Sequence, residues 1–151
     1  MEKDRLTRLM RDDKMREISF KGKRKDNGEW IEGYLFDDGM LGEKRMFIGK
    51  LVIAPYEGPI RGKWTVIANG FDEVDTNTIC EYTGLTDKNG NKIWENDIIQ
   101  YEDITAPVRF GFHDLGYGFY VDFSRETCLR EELGYWRTKV IVIGNMFDNP
   151  N

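Results

Sequence analysis

"YTGLTDKNGNKIWENDII", Tyr82 to Ile99, is the stretch on which the fold turns. Asn89-Gly90 suits the positive φ of a tight hairpin turn, and its polar flanks keep the tip in water. A strand is expected on each side. In the second of them Ile93 and Trp94 are neighbours and must face opposite sides of the sheet. Glu95-Asn96 then breaks the strand, and Asp97 opens the next, "DIIQY". The same residues begin like a calcium loop, with oxygen ligands at Asp87, Asn89 and Asn91. Lys92 stands where that loop requires glycine and Ile98 where it requires a bidentate Glu, so no metal is expected.

Upstream, "REISFKGKRK" alternates Ile18, Phe20 and Gly22 with charged and polar residues, and "EWIEGYLF" returns with Trp30, Tyr34 and Phe36 on one face. Asn27-Gly28 between them predicts an antiparallel hairpin over 16–36. "RMFIGKLVI" and "GKWTVIA" read as two further strands, and Pro55 and Pro59 between them exclude a regular central strand. Downstream come "DIIQYE", "APVRFGF", "GFYVDF" and "WRTKVIVIG". In the last, "VIVI" at 140–143 is apolar on both faces, as in a strand covered on each side. "RETCLREELG" predicts two helical turns ending at Gly134. Residues 1–14 form an extension in which Leu6, Leu9 and Met10 make a narrow helical stripe; it reads as a loosely docked terminus or as a helix that docks. Residues 15–151 form a single domain. Short strands punctuated every 8–15 residues predict a mainly-β fold, a barrel-like arrangement or sandwich of short antiparallel strands with one or two short helices.

With 151 residues, 40% hydrophobic and 13% aromatic, the chain can bury a core without staples. No apolar run approaches the ~20 residues that cross a bilayer, and the charged start is unlike a secretory signal, so a cytoplasmic location without membrane contact is expected. Cys80 and Cys128 are expected as reduced thiols, and one histidine with two separated cysteines does not make a zinc site. The net charge of −5 is uneven, since residues 1–25 carry ten Lys/Arg against five Asp/Glu. The acidic remainder repels phosphate backbones, so any nucleic-acid affinity is confined to the front end.

Three segments carry a family resemblance: Tyr82–Ile99, "MREISFKGKRKDNGEWIEGYL" from Met15, and "VIGNMFDNP" near the end. In order and spacing they resemble the YopX family, small proteins encoded mostly by bacteriophages and prophages. The family pattern usually has Gly where this chain has Asn96, and Asn is the side chain next best suited to the left-handed conformation. The resemblance implies a mainly-β, barrel-like fold with small helices and some self-association, and it implies no activity.

Candidate chemistry is sparse. His113 and Asp114 are the one imidazole–carboxylate neighbourhood, placed where a strand enters a glycine-rich turn. A general base there lacks a nucleophile and a positioning group. Acidic clusters at Asp72/Glu73/Asp75, Glu95/Asp97, Glu102/Asp103 and Glu131/Glu132 offer pairs for metal-dependent hydrolysis, yet such acids ordinarily solvate turns and edges. The chain is therefore expected to be a non-enzyme without cofactor. It is expected to act through contact with a host or phage protein, and to form a homo-oligomer by pairing across an exposed strand edge or flat face. The alternative is nucleic-acid binding by the basic hairpin at 16–25. Lys21, Lys23 and Lys25 would then project from one strand face at ~7 Å spacing, close to the phosphate repeat, with Trp30 and Tyr34 available for base stacking. Those five residues are the candidate contact residues for either partner; a solvated hairpin face with the aromatics in its core is the structural reading.

Overall fold

The structure is a computed structural model describing residues 16–68, 70–123 and 129–148. The extension 1–14 and Cys128 lie outside the described residues. Among the described residues twelve strands form three antiparallel sheets. They are β1 (Phe20–Lys23), β2 (Trp30–Asp37), β3 (Met46–Gly49), β4 (Leu51–Pro55), β5 (Trp64–Ala68), β6 (Asp72–Glu73), β7 (Cys80–Thr86), β8 (Lys92–Trp94), β9 (Asp97–Tyr101), β10 (Ile104–His113), β11 (Gly116–Val121) and β12 (Ile141–Asn145). The first sheet runs β6-β3-β2-β1-β7-β8, the second β11-β10-β9-β12, and β4 with β5 makes a two-stranded ribbon. Each sheet keeps two edges, so the fold is mainly β without a closed barrel. Among the described residues no helix is long and apolar enough to cross a bilayer.

Tyr82–Ile99 is the junction of the two large sheets. Asp87 N–H donates to Asn91 O (2.8 Å) and Gly90, at φ +83°, closes the turn on Asp87 O. Ile93 and Trp94 do point to opposite sides. Ile93 enters a core with Ile99, Ala106, Val108, Val121, Phe123, Leu133, Trp136 and Val140. Trp94 enters a smaller one with Cys80 and Tyr82, against which Trp30 and Phe147 pack. Each fully buried aliphatic side chain contributes roughly 1.5–3 kcal/mol by leaving water. Asn96 takes the left-handed conformation (φ +68°), as its place in the family pattern implies. Its N–H donates to Val108 O (2.7 Å) and its carbonyl accepts from Met146 N–H (2.9 Å), so the turn is braced by both neighbouring strands.

Four local expectations need correction. Of Asn27-Gly28 only Gly28 takes a positive φ (+72°), and the turn is a longer loop closed by Arg24 N–H on Glu29 O (2.9 Å). "RMFIGKLVI" divides at Lys50 into β3 and β4, which belong to different sheets. Residues 125–128 of the predicted helix lie outside the described residues; in the rest, helix α1 (Leu133–Trp136) starts where the predicted one was to end. Sheet pairing takes the preceding residues instead: Glu132 bridges Tyr120, and Val121 N–H donates to Glu131 O (2.7 Å). Residues 140–143 do not form a strand covered on both faces, because β12 is an edge strand whose Ile143 is about half exposed.

Candidate functional site

Lys21 and Lys23 share a face of β1, but that face is turned toward aromatic rings and carboxylates. Lys21 Nζ lies 4.7 Å from the Trp30 ring centroid and 5.2 Å from that of Trp94, with Asp97 Oδ1 at 3.8 Å. Lys23 Nζ reaches Asp148 Oδ1 at 2.6 Å and lies over Trp30 at 5.4 Å. Strand geometry ends at Lys23, so Lys25 falls in the turn and pairs with Glu73 (3.0 Å). The expected exposed row of three ammonium groups is thus replaced by three ion pairs. Trp30 is oriented by Asp148, whose Oδ2 accepts its indole N–H at 2.8 Å, and Phe147 packs on the ring. Tyr34 stands four residues farther along β2, about 13 Å away at strand rise, and is 55% exposed.

The acids around this cluster are shifted by their surroundings. Hydrogen bonds from Asn145, Lys23 and Trp30 hold Asp148 down to about 2. Arg45 and Lys25 bring Glu73 down to about 2. Burial drives Asp97 the other way, up to about 6, although Trp94 N–H (2.8 Å) and Lys21 favour its charged form. An acid with a folded pKa above its unfolded one contributes stability fully present below the unfolded pKa and lost as pH climbs through the folded one. For Asp97 the window runs from about pH 4 to about pH 6 and is worth ~3 kcal/mol. Relative to wild type, Asp97→Asn is therefore expected to gain about 2–3 kcal/mol between pH 4 and pH 7, read from urea unfolding at both. A difference that stays constant with pH refutes the assignment.

The other candidate residues are engaged in turns. The Asp87 carboxylate accepts from the N–H groups of Asn89, Asn91 and Val142, each at 2.9 Å, which makes the calcium-like loop an Asx turn anchored to β12. His113 Nδ1 lies 3.2 Å from Asp114 Oδ1 and 3.3 Å from Leu115 N. The His113 ring stands beside Tyr120, on the side of β10 opposite Phe110 and Phe112. Among the described residues no group of three or more His, Cys, Asp or Glu could hold a metal ion. Burial raises the Cys80 thiol to about 11, so it packs as a small apolar group.

Two surfaces carry more exposed apolar side chains than a sheet face needs. In the β4–β5 ribbon Val52 pairs with Ile67 and Ile53 with Val66, on opposite faces, and all four are at least half exposed. Trp64 is 69% exposed, and Tyr56 and Ile60 extend the patch toward the ribbon's end. The second surface is the far end of the β10–β11 hairpin. There the core face that begins at buried Val108 and Val121 continues outward as Phe110, Phe112, Tyr117 and Phe119, with Phe112 83% exposed. Edge-to-face contacts of 4.7–5.0 Å hold these rings as one cluster. The sequence-based candidates include neither surface. The available signal was the uncharged β4 and β5, each apolar at both alternations.

These features define a small open-sheet β domain with bare apolar projections. The YopX protein family model matches residues 19–151, and the chain belongs to that family. A solved structure of similar fold is protein EF1440 from Enterococcus faecalis. It has 20% sequence identity and a TM-score of 0.55, over 89% of this chain and 96% of that one. No curated protein matches.

Proposed function

We propose that this YopX-family chain is a non-catalytic accessory protein of a bacteriophage or prophage, acting in the host cytoplasm through protein–protein contacts. The observation that supports this reading best is the pair of bare apolar projections. Large contiguous apolar patches on a folded chain mark interaction surfaces. The acids and the single imidazole favour the same reading, since they cap turns or answer cations. The family resemblance supports the phage assignment. Nucleic-acid binding through residues 16–25 is the weaker reading, because Lys21, Lys23 and Lys25 are each answered by a carboxylate.

Crosslinking and affinity capture from prophage-carrying cells provide the test. The wild-type chain is expected to retain a specific host or phage protein that binds again as a purified component. A chain carrying both Ile53→Glu and Phe112→Glu is expected to lose it. Recovery of no specific protein, under conditions that trap known complexes, overturns the proposal.

A further inference from the structure

The geometry points to an apolar cleft of a foreign protein, bordered by carboxylates, as what covers the β4–β5 ribbon, which enters it as an arm. This rests on the reading that the chain works through protein contacts, and it names the chemistry of the partner.

Exposure on both faces of one ribbon calls for a cleft. By register and alternation Val52 and Ile67 lie on one face, and Ile53, Val66 and Trp64 on the other, each half or more exposed. A flat contact covers one face and leaves the other in water; a cleft covers both. Among the described residues β4 and β5 pair only with each other, so the outer edges of the ribbon also keep free backbone N–H and C=O groups. A lipid core offers those groups no hydrogen-bond partner. The walls of a protein cleft do, including by strand addition to an edge. A groove lined with phosphates offers the two apolar faces no counterpart. With β4 at Leu51–Pro55 and β5 at Trp64–Ala68, a rise of ~3.3 Å per residue gives an arm about 17 Å long. Walls that pack on it as a sheet packs on a sheet stand ~10 Å from its plane on each side.

Charge sets the rim of that cleft. β4 and β5 are uncharged, and the cations of segment 50–68 stand at its ends: Lys50 at the root, Arg61 and Lys63 toward the tip, against Glu57 alone. Among the described residues none of these three cations has an ion-pair partner, whereas Lys21, Lys23, Arg24 and Lys25 of the first hairpin all do. Unanswered cations at both ends of an apolar arm, on a chain of net charge −5, are complementary to carboxylates at the mouth and at the far end of the cleft.

The test places a photoreactive benzoylphenylalanine at Val66, at Ile67 or at Phe112 of the full chain in prophage-carrying cells, each variant checked by thermal unfolding. Val66 and Ile67 are neighbours that face opposite ways, and Phe112 reports on the other projection. Both ribbon positions are expected to crosslink the same foreign protein, at segments whose apolar residues are flanked by Asp or Glu. With that protein purified, the chain carrying both Arg61→Glu and Lys63→Glu is expected to bind about tenfold more weakly, with a flatter salt dependence. Val66→Glu and Ile67→Glu are each expected to weaken binding at least as much. Crosslinks from one ribbon position only mean a flat contact and overturn the inference. So do ribbon crosslinks to another copy of this chain, to lipid or to nucleic acid, and so does binding that the two charge reversals leave unchanged. A silent ribbon, while the Phe112 position traps a foreign protein, refutes this inference alone. No foreign protein trapped from any position refutes the proposed function with it.

Discussion

Asp87→Ala is expected to cost about 3–5 kcal/mol, because one buried carboxylate satisfies three backbone N–H groups that have no other acceptor in place. Two of the bonds shape the turn between β7 and β8. The third, from Val142, ties that turn to β12 across 55 residues of sequence. Lys88 N–H on Val140 O (3.1 Å) lies beside it and would be weakened in turn. For a domain of total stability around 5–15 kcal/mol, the loss is about a fifth or more. Asp87→Asn keeps one oxygen acceptor and is expected to lose about half as much. Burial would raise the Asp87 pKa, but the N–H groups of Val142, Asn91 and Asn89 outweigh it and hold the carboxyl below its usual range. Its contribution is therefore present above the ordinary carboxylate pKa and disappears as pH falls through the lower folded value. Asp97 has the opposite sign, so the wild-type acid limb is shallower than that of Asp97→Asn. Urea midpoints of wild type and both Asp87 variants at neutral and acidic pH check this; a neutral-pH cost below about 1 kcal/mol for Asp87→Ala would refute the anchor.

The two sheets were legible where local chemistry dictates geometry. Gly90 and Asn96 each take the positive φ that their turn requires, and the opposed directions of Ile93 and Trp94 follow from strand alternation alone. What was illegible depends on distant partners. Nothing near "KGKRK" announces that Asp97, Glu73 and Asp148 will answer its lysines, so a paired and partly buried set reads as a free basic strand. The described part of the predicted helix was misplaced for a similar reason. Helix-favouring residues at Glu131 and Glu132 are claimed by the edge of β11, and pairing there outweighs propensity. "RMFIGKLVI" contains no breaker except Gly49, so its division between two sheets is a tertiary event. The ribbon's exposure is hinted at only by strands that are uncharged and apolar at both alternations, and such strands read as core unless the rest of the fold turns away from them.

Gly33→Ala is expected to cost about 2–4 kcal/mol and to weaken partner capture through the ribbon beyond that loss. A Cβ at residue 33 would lie 2.5 Å from Gly49 O and 2.9 Å from its carbonyl carbon. Both are backbone of the neighbouring strand, held by the pairing of Tyr34 with Gly49, so neither can swing aside as a flexible side chain can. Gly49 has no room on its other side either, because a Cβ there would meet the Phe71 ring, itself edge-on to Phe36 at 4.3 Å. The two glycines let β2, β3 and Phe71 close together. They also stand at the root of the ribbon, since the chain leaves the sheet at Lys50 to enter β4. Relief of the clash must therefore displace the point from which Trp64, Ile53 and Val66 are presented. The matched control is Ile99→Ala, a truncation in the other core that costs about 2–5 kcal/mol without touching the ribbon root. At equal folded fraction, Gly33→Ala is expected to retain less of the captured partner protein than Ile99→Ala. If the two retain it equally, the register of β2 on β3 does not govern how the ribbon is aimed.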